Sequence, residues 1–154
     1  MKKVLVIAAM LGLTYACSNS SSEKKADSAS DQTASAEPAE SPAEGVGKFK
    51  HVDLAANLDK KMADGGKTIY EMKCEACHKL TGEKLVGPGW KNVTERRKPE
   101  WIMNFVTNTE EMLNKDTSAQ AMLEICMVKM PNQNLSDEDA RKVLEFMREN
   151  DGVK

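Results

Sequence analysis

Apolar residues recur at helical spacing along most of the chain, and no stretch alternates strand-like for any length. Leu54, Leu58 and Met62 stand four apart and predict a short leading helix. Ile69, Tyr70 and Met72 predict a second helical segment that starts near Asp64-Gly65-Gly66 and runs into Cys74. Thr81-Gly82 and Gly87-Pro88-Gly89 mark loops. Pro99 suits the first turn of a helix carrying Trp101, Ile102, Phe105 and Val106. Ala121, Met122, Ile125 and Val128 predict another, opening near Asp116-Thr117-Ser118. Ser136, with Asp139 three residues on, is a capping box with the shorter acid. It opens a last helix with Ala140, Val143, Leu144 and Met147 on one face. Met127 to Leu135 lies between as an irregular stretch containing Pro131. The pattern predicts a small all-α domain whose loops need something to pack against.

Ahead of that domain the pattern changes twice. Lys2 and Lys3 precede an apolar run, Val4 to Leu13, too short to span a bilayer but suited to a signal-peptide core. It ends in Leu13-Thr14-Tyr15-Ala16-Cys17, which resembles the bacterial lipobox, in which the cysteine is acylated and becomes the first mature residue. An ordinary signal peptide with Cys17 a bystander is the competing reading. From Ser18 to Gly47 the chain is mostly Ser, Ala, Glu, Lys, Asp and Pro, with Val46 its one branched aliphatic and no aromatics. Such a stretch cannot bury enough apolar surface to offset its ordering entropy, so it is expected to be a disordered tether. As a flexible coil it would span about 30 Å. The expected division is 1–16 lipoprotein signal peptide, 17–47 tether and 48–154 domain.

Within 48–154, 18 Lys plus Arg balance 18 Asp plus Glu, which excludes the strongly basic surface of a nucleic-acid binder. A core of this size is marginal without help. Four cysteines are few for a disulfide-stapled secreted fold, whereas ten methionines are many.

Cys74-Glu75-Ala76-Cys77-His78 supplies the help. Cys-x-x-Cys-His is the attachment signature of c-type haem: one turn presents both thiols to the macrocycle edge, and the next residue, His78, becomes the proximal iron ligand. The rivals are zinc and a redox dithiol. Zinc needs four ligands, and the domain adds only His51 and Cys126. A thioredoxin-like dithiol needs a strand-to-helix context that the pattern lacks.

Gly66-Lys67-x-x-Tyr70-x-x-x-Cys74-x-x-Cys77-His78, Gly87-Pro88, and Met130-Pro131 followed by Leu135-Ser136-Asp137 together resemble a class I monohaem c-type cytochrome over about Asp64 to Asn150. The resemblance implies a small helical domain around one covalent haem c. It implies that the Pro88 carbonyl accepts a hydrogen bond from His78, and that Met130 is the sixth iron ligand. Met127, three residues earlier, is the competing thioether, read here as ending a helix and facing the core. His51 would give bis-histidine ligation but stands at the tether's edge. The departures from the family are the tail, the helix before Asp64, and Cys126.

Trp90 and Trp101 read as core aromatics or haem-crevice residues, and Cys126 as a buried inert thiol. Lys79, Lys84, Lys91, Arg96, Arg97 and Lys98 make the haem-motif half locally basic, either as solvated loop charge or as a docking face. The expected function is one-electron shuttling between a membrane-associated respiratory donor and a terminal reductase or oxidase. A six-coordinate iron has no open position, so the expectation includes no enzymatic role and no small-molecule substrate. The alternative is a small haem enzyme or gas sensor with a labile sixth ligand. The expected place is the periplasmic or cell-envelope side of a bacterial membrane. Ser18, which is not acidic, favours the outer membrane.

Overall fold

The computed structural model describes residues 43–154. The signal segment 1–16, Cys17 and the tether up to residue 42 lie outside the described residues. Six helices follow: α1 (Lys60–Lys73), α2 (Val93–Arg96), α3 (Pro99–Thr107), α4 (Thr109–Lys115), α5 (Thr117–Cys126) and α6 (Asp137–Asn150). Among the described residues there is no strand, only an isolated antiparallel bridge between His78 and Lys84.

The molecule is organised on the crossing of α1 and α6, with α3 and α2 also against α6, and α4 linking α3 to α5. Asp59 caps α1, its carboxylate accepting from the Met62 N–H at 3.0 Å. Ala63, Gly66, Ile69 and Tyr70 form its buried stripe. Two glycines in mid-helix cost about 1 kcal/mol each in propensity. Gly66 has a compensating reason: a Cβ there would fall 2.0 Å from the Lys142 carbonyl oxygen and 2.8 Å from the Phe146 Cβ. The two backbones cross there, and only hydrogen fits between them.

Three expectations are corrected. No break occurs at Asp64-Gly65-Gly66, and no separate helix covers Leu54 to Met62. Leu54 and Leu58 lie on a non-helical segment held to α6, where Arg148 donates to the Ala55 carbonyl at 2.6 Å and the Leu58 N–H to the Lys154 carbonyl at 3.0 Å. Met72 is 69% exposed. Packing also begins ahead of Lys48. The buried Asn104 amide donates to the carbonyls of Glu44 and Phe49 and accepts from the Phe49 N–H, each at 2.9 Å. Residues 44–47 are thus gathered onto α3.

Helix α4 was not anticipated, because no Gly or Pro separates it from α3. One non-helical residue, Asn108, makes the corner. The Asp116 carboxylate caps α5 through the Ala119 N–H (2.8 Å), and its same oxygen accepts from the Trp101 ring nitrogen at 3.2 Å. Ser136 caps α6 through the Asp139 N–H at 3.1 Å, and Ala140, Val143, Leu144 and Met147 are buried as the pattern required. Beside them lies an ion network absent from the pattern. Glu145 is fully buried, bonded to Arg148 at 2.7 Å, to Arg141, and to the Asp59 N–H at 2.9 Å.

Candidate haem site

Helix α1 carries the chain directly into the Cys-x-x-Cys-His turn. The Cys77 and His78 N–H groups return to the Cys74 carbonyl at 3.0 and 2.9 Å, so the turn is closed by its own backbone. Tyr70, one turn upstream, donates its hydroxyl to the His78 carbonyl at 2.7 Å. Its ring lies 4.9 Å from Trp90 and 5.4 Å from Phe146, and the Trp90 ring lies 5.7 Å from that of His78. Trp90 is therefore a buried support for the histidine. Trp101 is a core residue whose ring nitrogen is taken by Asp116.

His78 is fixed on one side by the loop below it. Its Nδ1 lies 2.8 Å from the Pro88 carbonyl oxygen. A carbonyl can only accept, so Nδ1 carries the proton and Nε2 keeps its lone pair. Burial pushes the His78 pKa down, with the Pro88 bond opposing, and the ring is neutral at pH 7. The Gly87 N–H bonds the Cys77 carbonyl at 2.9 Å, which presses residue 87 against the imidazole. A Cβ there would stand 2.3 Å from the His78 Cε1.

Cys74, Cys77, His78, Pro88 and Met130 line one cavity of about 720 Å³, its open mouth included. Phe105, Leu113, Ala119, Met122 and Leu123 close its far side. Cys74 and Cys77 are unpaired thiols. Burial, with a smaller push from Cys77 against a pull from Lys73, raises the Cys74 pKa to about 11. A redox dithiol needs the opposite shift, towards thiolate. Among the described residues no three His, Cys, Asp or Glu side chains converge to hold a small metal ion. Two free thiols, a neutral imidazole with a lone pair and a thioether on one apolar cavity fit a covalently held haem.

Other candidates fall differently from expectation. Met127 ends α5 in the left-handed conformation (φ 58°) and is 83% exposed, so it does not face the core. Cys126 is half-buried on the cavity wall and not in the core. His51 is exposed, bonded to Asp53 at 2.7 Å, and is not a cavity residue. Much of the basic cluster has local partners. Arg96 donates to the Gly89 and Lys91 carbonyls, Arg97 lies 4.6 Å over the Trp101 ring, and Lys79 pairs with Glu83 at 2.7 Å. Tyr70 and Gly87 support the histidine in roles the pattern alone does not show; the signal for both lies in their fixed spacing from His78.

The family model described as cytochrome c matches residues 63–151. A cytochrome c from Rhodothermus marinus is similar in structure, with TM-score 0.68 and 32% identity over 71% of this chain and 93% of its own. An engineered form of that cytochrome gives TM-score 0.67 at 31% identity, over 71% of this chain and 94% of its own. An engineered form bound to a carbene intermediate gives 0.64, also at 31%, over the same shares of the two chains. No curated protein sequence matches. The carbene-bound relative corrects one expectation. Catalysis was excluded because a six-coordinate iron leaves no open position, yet a protein of this fold holds a reactive intermediate, so the exclusion does not stand. The match over 63–151, the shared fold and the identity agree: the chain belongs to the cytochrome c family, and so carries one covalently attached c-type haem and serves haem-based electron transfer.

Proposed function

We propose that the chain is a lipid-anchored electron carrier in which Cys74 and Cys77 hold the haem, and His78 and Met130 are the axial ligands. The bound haem supplies one-electron Fe(II)/Fe(III) chemistry. The observation that carries the reading is the Pro88 bond to Nδ1, which reserves Nε2 of His78 for a metal in a cavity that Met130 also lines. Pro88 is thereby a positioning residue, one that orients the ring and raises its basicity. The thioether of Met130 favours the ferrous state relative to a second histidine.

Val86 and Val128 stand at the cavity, and they and their neighbours Leu85, Ile125 and Met127 are exposed apolar residues. A redox protein could approach across this surface, and the partners proposed are a membrane-associated respiratory donor and a terminal reductase or oxidase. Cys17 as an acylated residue would place the domain on the cell-envelope side of a bacterial membrane, the outer one favoured by Ser18.

A pair of variants tests the ligand. Met130→Ala should abolish the far-red sulfur-to-iron absorption of the oxidised protein and lower the potential. Met127→Leu, at an exposed position, should leave the band intact and change stability by no more than about 0.5 kcal/mol. The reverse pattern would place the ligand at Met127. For the anchor, Cys17→Ala should move the protein to the soluble fraction with its haem spectrum unchanged. Retention on salt-washed membranes would show that the attachment lies elsewhere.

A further inference from the structure

From the end of α5 to the start of α6 the chain is irregular, and among the described residues most of its own hydrogen bonds are local. The Met127 N–H returns to the Leu123 carbonyl at 2.7 Å, the Gln133 amide to the Pro131 carbonyl at 3.1 Å, and the Asn134 N–H to the Asn132 side chain at 2.8 Å. Two other bonds cross to the haem-motif half. Lys73 Nζ donates to the Gln133 carbonyl at 2.9 Å, and Lys84 Nζ to the Ile125 carbonyl at 3.1 Å. Their acceptors bracket the segment that carries Met130.

Both lysines start from the histidine's side of the cavity. Lys73 is the last residue of α1, next to Cys74. Lys84 is paired through its backbone with His78 itself. The last carbonyls of a helix lack intrahelical partners and form the negative end of its dipole, so an ammonium on Ile125 in the last turn of α5 is favoured. Lys79, Lys115 and Lys142 instead pair with acids within four residues on the chain. Lys73 and Lys84 reach across 60 and 41 residues to carbonyls.

We propose that Lys73 and Lys84 form a two-point latch that holds the Met130 loop against the His78 side of the cavity. They are positioning residues, and they set how often the loop opens to admit a competing ligand. The inference rests on Met130 being the sixth ligand. Both bonds are exposed and individually modest. The loop, however, has no helix or sheet ladder of its own to replace them.

The test measures the rate at which neutral imidazole binds the oxidised holoprotein, a probe whose approach does not depend on protein charge. Lys73→Ala and Lys84→Ala should each bind imidazole about threefold faster and the double variant about tenfold faster, as expected for weak charge-assisted bonds. The far-red band should persist in all three. A double Lys→Arg variant should bind at near the wild-type rate. The proposal is overturned if the double alanine variant binds at the wild-type rate. It is equally overturned if a control pair, Lys50→Ala with Lys61→Ala, accelerates binding as much. Met130→Ala separates the two readings. Loss of the band there without any lysine effect sinks the latch alone, whereas survival of the band sinks the ligand assignment.

Discussion

A methyl group at residue 87 would lie 2.3 Å from the His78 ring, closer than real contacts allow. The imidazole cannot withdraw without breaking its Pro88 bond, and the Gly87 N–H is committed to Cys77. Gly87→Ala should therefore cost about 2 kcal/mol or more in denaturant unfolding. It should also perturb the haem spectrum, because the strain falls on the histidine. An unchanged spectrum with unchanged stability would mean that the loop yields freely. Cys74, Cys77 and His78 come together because a short motif carries its own local geometry, whereas the Pro88 bond to His78 was implied only by the family resemblance. Tyr70 belongs to the motif by spacing, but its hydrogen bond to the His78 carbonyl depends on side-chain placement that spacing does not show. The exposure of Met127 was misjudged, since spacing alone does not reveal that its backbone turns left-handed at the end of α5.

Among the elements, α1 shows where pattern reading fails. Two adjacent glycines read as a break, because glycine disfavours an isolated helix. The helix continues through them since α6 demands a close crossing, with Gly66 under the Lys142 carbonyl. Gly66→Ala should raise intrinsic helix propensity and yet destabilise the protein, towards the upper end of the ~1–3 kcal/mol of overpacking, since the obstacle is backbone. Gly65→Ala meets only the Lys142 side-chain carbons, the nearest at 3.2 Å, and should be mild by comparison. Equal losses at the two positions, compared by urea midpoints, would contradict this account of the crossing. Helices α5 and α6 opened where Asp116 and Ser136 stood, because an N-cap satisfies orphaned backbone N–H groups wherever it occurs.

For the molecule as a whole, the leading segment, α1 and α6 are joined through one buried carboxylate. Burial by itself would raise the Glu145 pKa. The Asp59 N–H and the two arginines outweigh it, and the net shift is below 4.5. A depressed carboxylate stabilises the fold fully above its unfolded value and loses that contribution as pH falls through the lower folded value. Acidification past 4.5 should therefore erode stability, and Glu145→Gln should flatten that part of the pH profile. At neutral pH the same variant should lose about 3 kcal/mol or more, because Arg148 stays buried without its counter-ion. Urea titrations over the pH series check both parts. An unaltered acid slope in Glu145→Gln would assign the acid sensitivity to other groups.

Local patterns along the chain carry the haem motif, the loops at Gly82 and Gly87-Pro88-Gly89, the start of α5 near Asp116, the Ser136 cap, the apolar face of α6 and the all-α class. Each is a short-range property, in which the residues that decide lie within a few positions of those that respond. Long-range packing sets the unbroken run of α1 through Gly65-Gly66, the non-helical segment of Leu54 and Leu58, and the burial of Glu145. The same holds for Lys73 and Lys84 reaching the Met130 loop. Those outcomes depend on which distant backbone arrives at a given face, and a close crossing or a buried counter-ion there overrides the local preference of the residues concerned.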